Sequence, residues 1–164
     1  MGKKLKYAKE LQRVINNFTK TFGVKAKWGN EFEASPTQKI VYFTVVVDED
    51  MDEVFLEDAE NRYPYVHANL FLWLLMHEIG HCMTDYLWTS EDEDYFEEAK
   101  NNLDEFFGYD VVSKNEWYHK IGDEYMATKW AGEYMMAHPK KMQNFCKEMN
   151  KAMKIFCKKN AIAP

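Results

Sequence analysis

The sequence is poor in cysteine and has no long apolar run. An odd count of only three cysteines does not fit the disulfide framework of a small secreted domain. The strongest apolar run, Leu70 to Met76, is far too short to span a bilayer. The opening residues, MGKKLKYAKELQRVI, lack the apolar core of a signal peptide. We therefore expect a soluble cytoplasmic protein without a membrane partner.

An excess of positive charge is also missing. Lys and Arg number 21 against 27 for Asp and Glu, which gives a net charge of -6. An acidic chain is a poor partner for DNA or an anionic membrane, so nucleic acid is excluded as the expected ligand. Hydrophobic residues make up 46% of the chain and aromatic residues 16%, which favours a packed fold over disorder. The length fits a single domain over residues 1–164.

The first part of the chain predicts a helix followed by two strands. Apolar residues at helical spacing indicate a helix over residues 3–20, and Gly23 is a plausible stop. Residues 24–33 and 39–47 are typical of strands, with a turn at Ser35-Pro36-Thr37 between them. The acidic stretch Asp48 to Glu60 is expected to be a loop, with at most a short helical turn.

The remaining chain predicts four helices. A helix apolar on nearly all sides runs from Pro64 to about Leu87. Capping boxes at Ser90 and Ser113 predict helices over 91–107 and 114–137. His138-Pro139 breaks the chain before a last helix, whose apolar stripe is formed by Met142, Phe145, Met149, Met153 and Phe156.

The most informative segment is His77-Glu78-Ile79-Gly80-His81, which reads H-E-x-x-H. Residues four apart on a helix lie on one face, so His77 and His81 can hold one metal ion. Glu78 can reach a water bound to that ion. Because LFLWLLM precedes the motif, it lies in a core helix, where ionisable groups are costly unless they are paired or bound to metal. The pattern predicts a catalytic Zn²⁺ site.

A catalytic zinc takes three protein ligands, so a third ligand is needed. The continuation HExxHxxGxxH is absent, because Thr84 and Leu87 occupy its Gly and third His positions. The helix 114–137 offers Glu124 as the preferred ligand, since small residues after it allow close packing of two helices. Glu133 and then Asp123 are the alternatives.

These motifs resemble those of the ImmA/IrrE-type zincin metallopeptidases, which often come from phages and mobile elements. The resemblance covers roughly residues 64–139 and is carried by HEIGH and by Glu124-Tyr-Met-Ala-Thr-Lys-Trp-Ala131. It implies an α+β, zincin-like fold in which a small antiparallel sheet packs against the central HExxH helix, with further helices C-terminal. It also implies zinc ligands His77, His81 and Glu124, with Glu78 as general base.

The function expected from this site is zinc-dependent hydrolysis of peptide bonds in a peptide or protein substrate. A donor for the developing oxyanion would come from Tyr125, His119, Tyr134 or His138, which the sequence does not rank. Residues 39–47 could offer the sheet edge on which a substrate strand is held.

Asp85 is a candidate partner for a ligand histidine, and His67 is read as a structural or surface residue. Two other functions stay open, namely a zincin-fold regulatory or binding protein with weak or no catalysis, and a hydrolase of non-peptide amides. The substrate and the oligomeric state are not determined by the sequence.

Overall fold

The structure is a computed structural model that describes residues 8–45 and 49–160. It is α+β and mostly helical. The helices are α1 (Ala8–Thr19), α2 (Glu49–Arg62), α3 (Leu70–Thr84), α4 (Ser90–Phe107), α5 (Val111–Tyr118), α6 (Gly122–Ala137) and α7 (Pro139–Asn160), and short 3-10 turns follow α1 and α3. No helix in the described ranges combines the length and the hydropathy that a bilayer crossing requires.

The small sheet is mixed, so the expectation of an antiparallel sheet was wrong. Its strands are β1 (Lys25–Trp28), β2 (Glu33–Ser35) and β3 (Ile40–Phe43), in the order β1-β3-β2. β1 runs parallel to β3, whereas β2 runs antiparallel to it. The predicted strand 24–33 is broken after Trp28, and the chain crosses to the other side of β3 before it pairs again. The turn between β2 and β3 lies at residues 36–39.

The acidic stretch predicted as a loop is helix α2. The prediction gave too much weight to its charges. Phe55 and Ala59 are four residues apart and almost fully buried, which anchors one face of the helix on the core. Arg62 and Asp58 form an ion pair of 2.6 Å on successive turns, which is compatible with helical spacing.

Helix α3 begins later than predicted. Its first turn is capped by Asn69, whose side-chain oxygen accepts a hydrogen bond of 2.8 Å from the Leu72 amide. Pro64 therefore lies before the helix rather than in its first turn. Leu72, Trp73, Leu75, Met76 and Ile79 are fully buried, as expected of a helix with core contacts on nearly all sides.

The predicted helix 114–137 is two helices. Asp110 caps α5, whose N-terminus lies before the predicted Ser113 box, and α6 starts at Gly122 after an extended Ile121. This break sets Glu124 in the first turn of a new helix. Thr89 rather than Ser90 caps α4, through a capping box with Asp92.

Both ends of the described chain pack together over the core. Phe18 of α1 stacks on Phe145 of α7 with ring centroids 4.0 Å apart. The predicted stripe of α7 is buried, except that Met153 is only partly so. Gly23 ends the N-terminal segment in the left-handed region, as predicted, with φ at 73°. Residues 3–7, 46 and 47 of the predicted helix and strand lie outside the described residues.

Candidate metal centre

Helix α3 presents His77 and His81 on one face. They are one helical turn apart, and their Nε2 atoms lie 3.1 Å from each other. His77 is 5% exposed. The sequence prediction that both imidazoles point to one place therefore agrees with the geometry.

Helix α6 brings Glu124 to the same point. Its Oε2 atom lies 2.9 Å from His77 Nε2 and 3.3 Å from His81 Nε2. Glu124 is only 3% exposed and His81 is partly buried, and the three atoms form a group that could hold one metal ion. Neither alternative belongs to this group, since Glu133 is exposed and Asp123 lines the same cleft without joining the three converging atoms.

Close packing of α3 against α6 makes this convergence possible. A β-carbon at position 80 would lie 2.9 Å from the Cα of Ala127, nearer than real β-carbons come, so only glycine fits at Gly80. Ala127 and Ala131 are fully buried. The role predicted for small residues on α6 therefore applies to these alanines, whereas Gly132 makes room for the ring of Tyr63.

Thr128 orients the first histidine. It is fully buried, one turn after Glu124 on α6, and its Oγ1 lies 2.9 Å from Nδ1 of His77. A proton on Nδ1 donated to this hydroxyl leaves the Nε2 lone pair directed at the cluster. Asp85, the partner expected from sequence, instead lies with its carboxylate 3.8 Å from Lys39 Nζ.

Helix α4 contributes a lysine that the sequence interpretation missed. Lys100 Nζ lies 2.6 Å from Glu124 Oε1 and 2.7 Å from Asp123 Oδ2. It therefore occupies one carboxylate oxygen of Glu124 and leaves the other to the histidines. Tyr118 supports the same carboxylate through a hydrogen bond, and its ring centroid lies 5.3 Å from Lys100 Nζ. A single basic residue in an otherwise acidic helix is the signal that could have identified Lys100.

Charge in the cluster follows from these contacts. Burial alone would raise the pKa of Glu124, but His81 and the hydrogen bonds from both imidazoles hold it well below its usual range. Burial alone would lower the pKa of His81, but the Glu124 carboxylate outweighs it and raises the value to about 9. A buried carboxylate that stays ionised supplies the negative charge that a divalent cation requires.

Glu78 shares the cleft with these ligands. Its side chain is buried, and burial is the main reason that its pKa is raised. The cleft is bounded by the chain around β2 on one side and by α4 and α5 on the other. His77, Glu78, His81 and Glu124 all line this cleft.

Of the four candidate oxyanion donors, only His119 lines this cleft. Tyr125 is 44% exposed, with the Arg62 guanidinium carbon 5.2 Å from its ring centroid. Tyr134 stacks on His138 with centroids 4.1 Å apart, and its hydroxyl accepts a hydrogen bond of 2.8 Å from Lys141. His67 is exposed, as the sequence indicated.

The chemistry of the donor set fits zinc. Bonds of about 2.1 Å in a tetrahedral site place neighbouring ligand atoms roughly 3.4 Å apart. The three separations here, 2.9, 3.1 and 3.3 Å, are close to that spacing. Two imidazole nitrogens and one carboxylate oxygen are also a common ligand set of catalytic zinc in peptidases.

No family model, curated protein or solved structure matches this chain. The resemblance to the ImmA/IrrE-type family therefore stays a prediction from two short motifs. What the structure itself contributes is the α+β fold and a group of His77, His81 and Glu124 that could bind a metal ion.

Proposed function

We propose that this protein is a zinc-dependent peptide-bond hydrolase, with His77, His81 and Glu124 as the zinc ligands. The supporting observation is the convergence of two imidazole nitrogens and one carboxylate oxygen, each pair within 3.3 Å, beside the buried carboxyl of Glu78. Zinc, when bound, supplies a Lewis acid that activates water and polarises a carbonyl.

The residues around the ligands have separate tasks in this proposal. Glu78 takes the proton of the attacking water and passes it to the leaving amine. Thr128 holds the ring of His77, Lys100 holds the second oxygen of Glu124, and Tyr118 bonds the same carboxylate. Positioned ligands need little reorganisation when substrate binds, which favours catalysis.

The sheet edge next to the site is β2, not the segment 39–47 expected from sequence. β3 is the central strand, because β1 and β2 flank it on its two sides. Within the described sheet, β2 pairs only with β3, and Glu33 and Ala34 of β2 line the cleft. We propose that an extended peptide adds to the free edge of β2, where backbone hydrogen bonds would hold it across the cleft.

The test of this function is metal-dependent cleavage. We expect the protein with one equivalent of zinc to cut unstructured peptides, because the cleft is open and β2 offers a free edge. Removal of zinc with a chelator should abolish cutting, and added zinc should restore it. New peptide ends are read by mass spectrometry, and bound metal by elemental analysis of the same sample.

Two outcomes would contradict the proposal. Protein that holds one zinc ion but leaves a broad library of peptides and proteins uncut would favour a binding or regulatory role. Cutting that persists in the metal-free protein would remove zinc from the chemistry. A screen of non-peptide amides on the same zinc-loaded sample separates peptide hydrolysis from the other hydrolase function.

The hydrogen bond to His77 provides a second test. Thr128→Val keeps the side-chain shape but removes the hydroxyl, so we expect zinc affinity to fall about 10-fold or more. Thr84→Val is the matched control, because Thr84 is also buried and its hydroxyl bonds the Gly80 carbonyl at 2.9 Å instead of a ligand. Competition with a chromophoric chelator measures both variants. Equal affinities would contradict the role assigned to Thr128.

A further inference from the structure

The imidazole of His119 is buried without a hydrogen-bond partner. The residue is 8% exposed, and neither of its ring nitrogens has a partner in the described structure. Buried polar atoms are nearly always hydrogen-bonded, because losing water without a replacement partner costs free energy. Both nitrogens are covered by the surrounding chain, so a group in the cleft would reach the ring only after the ring turns towards it, and that bond would then satisfy a donor that the described structure leaves unpaired.

The fold holds this ring against the cleft. α5 ends at Tyr118, and the backbone amide of His119 closes the helix on the Asn115 carbonyl at 3.2 Å. The ring centroid lies 5.1 Å from that of Phe55 and 6.3 Å from that of His77. Phe55 also contacts His77, with centroids 5.2 Å apart, so one buried phenyl ring packs against both imidazoles.

The chemistry of His119 suits a hydrogen-bond donor. A neutral imidazole carries one N–H and one lone pair, so the ring offers one donor whichever nitrogen holds the proton. The neighbouring Tyr118 is not equivalent, because its hydroxyl bonds the Glu124 carboxylate. His119 thus lines the cleft with a buried ring whose nitrogens have no partner in the described structure.

We propose that His119 is a catalytic residue that donates its ring N–H to the substrate carbonyl oxygen as negative charge develops there. This inference rests on the proposed hydrolase function and names its oxyanion donor. The ring keeps its proton throughout, so the step is a hydrogen bond that strengthens in the transition state and no proton is transferred.

The test compares turnover and stability of His119→Phe. Phenylalanine keeps an aromatic ring but has no donor, so we expect kcat to fall about 100- to 1000-fold. KM should stay within about threefold, and the zinc content should not change. The melting temperature should hold or rise, because two unpaired buried nitrogens are removed. A merely structural histidine predicts the opposite, a lower melting temperature with unchanged kcat.

Two further variants make the comparison decisive. His119→Gln restores a side-chain N–H and should recover at least part of the lost kcat, and it also serves if the phenylalanine variant does not fold. His67→Phe changes an exposed histidine away from the cleft and should leave kcat as it is. Unchanged kcat in His119→Phe overturns the assignment. If His119→Phe does not fold, His119→Ala takes its place, and unchanged kcat in that variant has the same meaning.

Failure of the proposed function gives a different result. If zinc-loaded wild type cuts nothing, the hydrolase proposal fails, and His119 is then judged by binding of a peptide phosphonate, which imitates the tetrahedral anion. Weaker binding to His119→Phe than to wild type supports an oxyanion-binding role. Equal affinity, or no binding to either protein, overturns it.

Discussion

Glu124→Ala is expected to lose stoichiometric zinc, whereas Glu133→Ala is expected to keep it. Glu124 supplies the one carboxylate oxygen in the buried ligand group, and Glu133 is exposed on the same helix. Loss of a hydrogen bond to a metal ligand lowers metal affinity roughly 10- to 100-fold. Loss of a direct ligand should have a larger effect, so we expect the zinc affinity to fall by more than about 100-fold. Elemental analysis after dialysis and competition titration measure it.

A second substitution guards against misfolding in that experiment. Lys100 forms ion pairs with both Asp123 and Glu124. Alanine at position 124 removes one of these pairs, which can disturb the packing of α4. Glu124→Gln keeps the size of the side chain and hydrogen-bonding oxygen but removes the charge, and it should also bind zinc weakly. If Glu124→Gln and Glu124→Ala both retain tight zinc, or if Glu133→Ala loses it, the ligand assignment is wrong.

Glu78→Gln should keep zinc but lose hydrolysis. Glutamine fills the same buried space on α3, and the ligand atoms of the neighbouring histidines are untouched, so the metal stays. An amide cannot accept the proton of the attacking water, and general-base catalysis is worth about 100- to 10,000-fold. We expect kcat to fall by that factor in steady-state assays, with zinc content at the wild-type level.

The control for this loss is Glu97→Gln, which makes the same chemical change on the exposed surface of α4. It should have the kcat of the wild type. Hydrolysis retained in Glu78→Gln would refute Glu78 as the base. Zinc lost from that variant would show instead that the carboxyl group supports the ligands.

Local patterns predicted that the side chains of His77 and His81 meet, because helical geometry alone places residues 77 and 81 on one face. Glu124 could be selected because small residues near it indicated a close helix contact. Lys100, Tyr118 and Thr128 were missed as partners of the ligands, since their roles depend on how distant helices pack. No periodicity within α4 indicates that its lysine meets a carboxylate on α6.

The fold predictions failed where the local sequence pattern favoured one structure and packing against distant residues favoured another. The charges of α2 suggested a loop, but burial of Phe55 and Ala59 stabilises a helix. The continuous pattern over 114–137 concealed the break before Gly122, whose missing β-carbon would lie 2.9 Å from the Phe96 ring. The relative direction of the strands could not be predicted either. Alternation of side chains within a short strand is the same whether its neighbour runs parallel or antiparallel.

If an ion binds as proposed, the 47 residues that separate His77 from Glu124 along the chain would connect metal supply to the lifetime of the protein. An unfolded chain does not hold such distant donors together, so an ion bound as proposed would favour the native state alone. At a free concentration of 100 times its dissociation constant, such an ion adds about 2.7 kcal/mol to the free energy of unfolding. For a domain of ordinary marginal stability, zinc starvation would then act as a signal for degradation.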